Sequence, residues 1–189
     1  MLHMKIFAML TLIAGSRVAL AQQPPVAQTP PSFMGPCSNL SCEIQNDWAR
    51  NSWLISGLAD AMPENRYGFK PVPEEQSFGE RVLHVAQVNV SLLQGLGAKT
   101  PPPAIDPKAT SKDEAMAAVQ KVGDYGIAVI KEFSDQQLAG RVESPWFMGP
   151  MASRQRILYF LMMHSQDTYG HLVVYLSLYG IVPPASRQP

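Results

Sequence analysis

The stretch that most restricts what this chain can fold into lies near its end, RQRILYFLMMHSQDTYGHLVVYLSLYGIVPP from Arg154 to Pro184. Its spacing predicts one long helix that opens near Ser153 and closes at Gly180, with Pro183 and Pro184 beyond the cap. At about 100° per residue, Ile157, Leu161, His164, Thr168, His171 and Tyr175 share one face, which sets two imidazoles within an apolar stripe. Such a stripe is expected to face a core. An imidazole there needs a hydrogen bond or a metal, because an unpartnered buried polar group costs about 1–3 kcal/mol. The stretch therefore predicts a polar pocket inside a helical bundle.

Three further helical patterns precede it. The first is expected from about Glu43 to Ala61, with Trp48, Leu54, Ile55 and Leu58 apolar and Pro63 ending it. Trp48 and Trp53 are read as core anchors. The loop RYGFKPVPEEQ, Arg66 to Gln76, carries aromatic residues expected to lie across the bundle. A capping box, Ser77-x-x-Glu80, opens the second helix, whose stripe is Phe78, Val82, Val85, Leu92 and Leu96. His84 lies on the flank of that stripe.

A second capping box, Ser111-x-x-Glu114, is expected to open the third helix after a loop with three prolines, Pro101 to Pro103. Gly123 and Gly126 interrupt this helix at a cost of about 1 kcal/mol each relative to Ala, and close helix packing is the expected reason. Ser134 to Pro150 reads as a connection. Four helical patterns without alternating strands predict an all-α, antiparallel four-helix bundle with a long connection.

The N-terminus has the layout of a secretory signal: Lys5, an apolar run from Ile6 to Ala14, and small residues at Ala19 and Ala21. The run is too short to span about 30 Å of hydrocarbon, so cleavage after Ala21 is expected and the mature protein needs no membrane. The expected organisation is a signal peptide at 1–21, a Pro-rich tether with a Cys clip at 22–40, and the bundle at 41–189. An exported, periplasmic or secreted chain also suits its two cysteines, Cys37 and Cys42, which are read as bonded to each other. A zinc half-site and a redox pair are the alternatives, but no other cysteine exists to complete the first and the spacing is not C-x-x-C.

Fifteen basic and fifteen acidic residues leave no net charge, and no basic run stands out, so nucleic acid is not an expected partner. Nor does any nucleophile elbow or phosphate loop supply a ready chemistry.

Tyr67-Gly68-Phe69-Lys70-Pro71, then Ser77-Phe78-Gly79-Glu80 with His84, then His164 with Tyr169-Gly170 and the Leu176 to Pro184 segment, together resemble the DinB/YfiT-like helical-bundle family. The resemblance covers about Glu43 to Ser186. It implies a divalent metal, zinc or nickel, held by three histidines: one from the second helix and an H-x-x-x-H pair from the last. His84 matches the first ligand and His164 the second, but Thr168 stands in the third place, and a threonine hydroxyl is a poor neutral ligand. His171 lies about 10 Å along the helix axis from His164, against about 6 Å for an i, i+4 pair, so it is no simple substitute. Asp167, one turn from His164, could complete a two-histidine, one-carboxylate set, and a metal-free pocket is the alternative; Thr168, His171 and Tyr175 are expected to line the pocket.

Two function classes are open on this reading. One is a metal-dependent hydrolase or transferase with a degenerate site; the other is a bundle without metal that binds a small molecule or a protein. Relatives of this kind commonly pair, and apolar residues such as Leu83 and Val90 on the outer side of the second helix give an expected surface for a homodimer.

Overall fold

The computed structural model describes residues 35–187. The expected signal peptide and most of the Pro-rich tether lie outside the described residues. Four long helices form the bundle: α1 (Leu40–Ala61), α2 (Phe78–Gln94), α3 (Lys112–Lys131) and α5 (Arg154–Leu178), with a short α4 (Asp135–Ala139) between the last two. No helix among the described residues is long and apolar enough to cross a membrane.

Helices α1, α2, α4 and α5 start where a side chain accepts from a free N–H of the first turn. Asn39 accepts from the Cys42 N–H at 2.8 Å, which starts α1 three residues before the expected Glu43. Cys42 is therefore inside the first turn, and its disulfide to Cys37 ties the incoming chain to that turn. Ser77 and Glu80 form the expected capping box on α2. The one expected on α3 does not form: the Ser111 hydroxyl bonds the Glu114 carboxylate instead of a backbone N–H. At its far end α5 closes at Gly180, whose φ of 67° suits a residue without Cβ, while the Ile181 N–H donates back to the Leu176 carbonyl at 3.0 Å.

Packing runs around the ring α1, α3, α2, α5, with α1 and α2 on a diagonal. The connection 62–77 crosses that diagonal, which is why Tyr67 is buried and Phe69 half-buried. Tyr67 packs edge-on against Phe78 and donates to the Ala59 carbonyl, while Phe69 meets Tyr175 and Tyr179. The Gly79 N–H donates to the Tyr67 carbonyl, and a Cβ at Gly79 would sit 2.4 Å from the Thr110 carbonyl oxygen.

That last approach places the start of α2 beside the start of α3, and Glu132 at the end of α3 accepts from the Lys99 and Thr100 N–H groups just after α2. These two helices are thus parallel, and the proline-containing connection 95–111 runs the length of the bundle between them. α1 lies antiparallel to α3, with Lys112 bonding the Asp60 carbonyl, and α2 lies antiparallel to α5, with Arg154 bonding the Leu96 carbonyl.

Several expectations shift. Trp48 is 2% exposed and anchors the core, but Trp53 is only half-buried. Leu83 is 3% exposed and Val90 half-buried, so the outer side of α2 is not the apolar surface that the sequence suggested for a dimer. The connection before α5 is not irregular: Arg141–Glu143 (β1) pairs antiparallel with Met151–Ser153 (β2), and the tip between them carries Trp146 and Phe147 outward. Three-residue strands are too short to leave a period-two signal in the sequence.

Candidate functional site

His84 lies in the second turn of α2 and His164 in the middle of α5. Because these helices are antiparallel neighbours, the two rings meet edge to face, with centroids 5.2 Å apart and Nε2 to Nε2 at 3.3 Å. One ring must donate and the other accept, so the pair holds a single N–H between the two facing nitrogens. Burial lowers the pKa of both; the Arg81 guanidinium lowers His84 further, and His84 itself lowers His164 against an opposing pull from Asp167. Two neutral imidazoles sharing a proton is the state this environment favours.

The far nitrogen of His164, Nδ1, is buried with no hydrogen-bond partner. In either tautomer it therefore carries an unmet group, at a cost of about 1–3 kcal/mol. A second polar layer lies toward the other end of the same seam. Asn89 donates to the Ser165 hydroxyl at 3.2 Å, Ser165 donates to the Leu161 carbonyl at 2.9 Å, and Asn89 Oδ1 is buried without a partner beside a cavity of about 20 Å³.

His84 also belongs to the wall of an open cleft of about 520 Å³. Lys70 and Lys108 contribute positive charge to this cleft and Glu74, Glu75 and Glu80 negative charge, with Gln76 and Gln87 between them. On the other side of the pair, Phe160 stacks on His164 at 6.4 Å and meets Phe147 at 5.0 Å. The imidazole pair is thus the link between a polar cleft and an aromatic wall.

The remaining expected site residues are placed as follows. Thr168 is buried, 3% exposed, one turn after His164. The Asp167 side chain is 69% exposed and stands beside His171, whose Nδ1 is 3.6 Å from its carboxylate and 2.9 Å from its backbone carbonyl. His171 is itself partly exposed, so the expectation of two imidazoles within a buried stripe holds for His164 alone. Tyr175 is buried, but its hydroxyl donates to the Gln76 carbonyl at 2.6 Å and accepts from Arg81 at 3.2 Å, and so braces the loop before α2.

The 3.3 Å between the facing nitrogens equals the edge of a tetrahedral site with Zn–N bonds of about 2.0–2.1 Å. A third donor is what the described residues do not bring. Among the described residues no three His, Cys, Asp or Glu side chains converge, and a threonine hydroxyl does not replace an imidazole. The donor set therefore does not fit a zinc or nickel ion held by three protein side chains.

Sequence reasoning missed Phe160, Arg81 and the Asn89–Ser165 pair. Phe160 precedes His164 by four residues and Arg81 precedes His84 by three, so helical spacing alone could have put each beside its histidine. Nothing in the sequence indicates that Asn89 faces Ser165, since that pairing depends on the relative register of two helices.

A model of the DinB superfamily matches residues 46–172. Among solved structures, a DinB-like protein from Bacillus cereus superposes with a TM-score of 0.66 at 17% identity, over 75% of this chain and 93% of that one. A DinB-like protein from Bacillus subtilis superposes with a TM-score of 0.58 at 16% identity, over 73% and 92% of the two chains. At such identities the likeness is one of fold. No curated protein matches the chain.

Proposed function

The chain belongs to the DinB superfamily, and from that premise we propose that it is an exported bundle that binds a small, doubly charged polar molecule in the cleft beside His84, without a resident metal. The observation that carries this is the double position of His84, at once 3.3 Å from His164 and in the wall of the cleft. A ligand acid can pass its proton to the nitrogen of His84 that faces away from His164 when His84 holds the shared N–H and donates it to His164, and the ligand anion is then held as an ion pair. Lys108 suits a carboxylate on the ligand and Glu74 an amine, since Lys70 pairs with Glu80 at 3.5 Å and Glu75 pairs with Arg81. The disulfide between Cys37 and Cys42 supports export, since such bonds persist in oxidising compartments.

A metal-dependent hydrolase or transferase is the second reading, and the tetrahedral edge length between the two nitrogens is what favours it. Two experiments separate them. Imidazole resonances of His84 and His164 are followed by NMR while small amino acids and dipeptides are added, and the same protein is analysed for zinc and nickel after dialysis against a weak chelator. The metal-free binder predicts coupled shifts of both rings, lost in His84→Ala, and well under one equivalent of metal. One retained equivalent overturns it in favour of the second reading.

A further inference from the structure

Where the four long helices meet, the core keeps a cavity of about 20 Å³. Ile55 of α1, Val85 of α2 and Val122 of α3 give it apolar walls, and three polar side chains also line it: Ser52, Asn89 and Ser165. Asn89 is 9% exposed and Ser165 3%, so neither is hydrated from the surface. Their hydrogen bonds leave a definite remainder. Asn89 donates a side-chain N–H to the Ser165 hydroxyl at 3.2 Å, and that hydroxyl donates its own hydrogen to the Leu161 carbonyl at 2.9 Å. Ser165 thus keeps one lone pair, and Asn89 Oδ1 keeps both, since no described group donates to it. Ser52 adds a hydroxyl from α1, and it stands where α3 has a glycine: a Cβ on Gly123 would come 3.2 Å from Ser52 Oγ.

We propose that this cavity is a binding site for one small, neutral donor of two hydrogen bonds, a water molecule, which links Asn89 of α2 to Ser52 of α1 across the diagonal of the bundle. Size, hydrogen bonding and charge each narrow the choice. About 10–15 Å³ of such space holds a water, so 20 Å³ admits one and leaves no room for an amino acid or a sugar. The free acceptors on Asn89 and Ser165 outnumber the single hydroxyl hydrogen that Ser52 can offer, so the occupant must donate. Ammonium also donates, but it would meet no carboxylate among the residues that line the cavity, and a buried cation without one loses its hydration uncompensated.

Such a water gives the polar layer a reason to exist. α1 and α2 lie on the diagonal of the ring and barely touch, whereas each packs closely on α3 and α5. A water held by Asn89 and Ser52 supplies the hydrogen-bonded connection that direct packing does not. The site shares no lining residue with the cleft beside His84, and it stands whatever that cleft binds.

Water-to-protein NOEs on the purified soluble chain, with magnetic relaxation dispersion of water to count long-lived internal molecules, test this. Wild type should show NOEs from a slowly exchanging water to the Asn89 side-chain amide and the Val122 methyls. Asn89→Leu, which removes the acceptor and fills the space, should abolish them and lower the count by one. Ser52→Ala, at a half-buried position that tolerates a smaller side chain, should keep the water but shorten its residence by about tenfold, the loss of one hydrogen bond. No water NOE at Asn89 in wild type, an unchanged count in Asn89→Leu, or an unchanged residence in Ser52→Ala would each overturn the proposal. So would ammonium chloride that displaces the water when sodium chloride at equal strength does not, since the site would then take a cation.

Discussion

Gly126 and Trp48 occupy the same space: a Cβ on Gly126 would fall 2.1–2.4 Å from three atoms of the Trp48 indole. The ring is 2% exposed, and its Nε1–H donates to the Gly123 carbonyl at 2.9 Å, so it cannot swing away without leaving a buried donor unmet. The two glycines of α3 therefore serve close packing of α1 on α3.

Gly126→Ala should destabilise the fold by about 1–3 kcal/mol, the usual cost of overpacking, even though Ala gains about 1 kcal/mol of helix propensity. Gly123→Ala meets only Ser52, at 3.2 Å, and should be close to neutral. Urea unfolding of both variants checks the contrast; equal effects would show that Trp48 does not depend on Gly126.

How much of this was legible in the sequence follows from how local each feature is. The capping residues at Ser77 and Ser153, the C-cap at Gly180 and the packing role of Gly126 are set by a few neighbouring residues, and they stand where the pattern put them. The Ser111 cap was misread because its hydroxyl has two acceptors or donors in reach and takes the Glu114 carboxylate. Leu83 was misplaced because a helix packed on two neighbours, here α3 and α5, buries more than one stripe. The approach of His84 to His164 followed from the family resemblance and not from periodicity, which left His84 on a flank. The orientation of Asp167 was not legible at all, since two rotamers of an exposed carboxylate differ by little and the His171 contact decides between them.

The imidazole pair predicts an acid-sensitive fold. Both pKa values lie below the ordinary imidazole value of about 6.5, chiefly through burial, so between the folded and the ordinary value the unfolded chain holds more protons than the native one. Stability should therefore be fully present above about pH 7 and should fall as the pH drops toward 5. His164→Gln should flatten that slope in urea midpoints measured between pH 5 and 7. An unchanged slope would mean that the pair does not report on folding.

Removal of the disulfide should cost little. Cys37 and Cys42 close a loop of sequence separation 5, for which chain entropy gives at most about 2 kcal/mol. The Cys37→Ser, Cys42→Ser double variant should lose no more than that in urea unfolding and should leave the NMR response of His84 and His164 unchanged. Two free thiols in unreduced, freshly isolated protein would contradict the bond itself.

Thr168→His tests the site most directly. Thr168 follows His164 by one turn of α5, on the buried side, so an imidazole there projects toward the seam that His84 already faces. With the two existing nitrogens at the edge length of a tetrahedral zinc site, a third should raise zinc or nickel retention from a small fraction to one equivalent per chain. The gain should disappear in a Thr168→His, His84→Ala double variant, which distinguishes a built site from loose surface binding. Should the single variant hold no metal, the third position does not reach the pair, and the facing nitrogens are a hydrogen bond and nothing more.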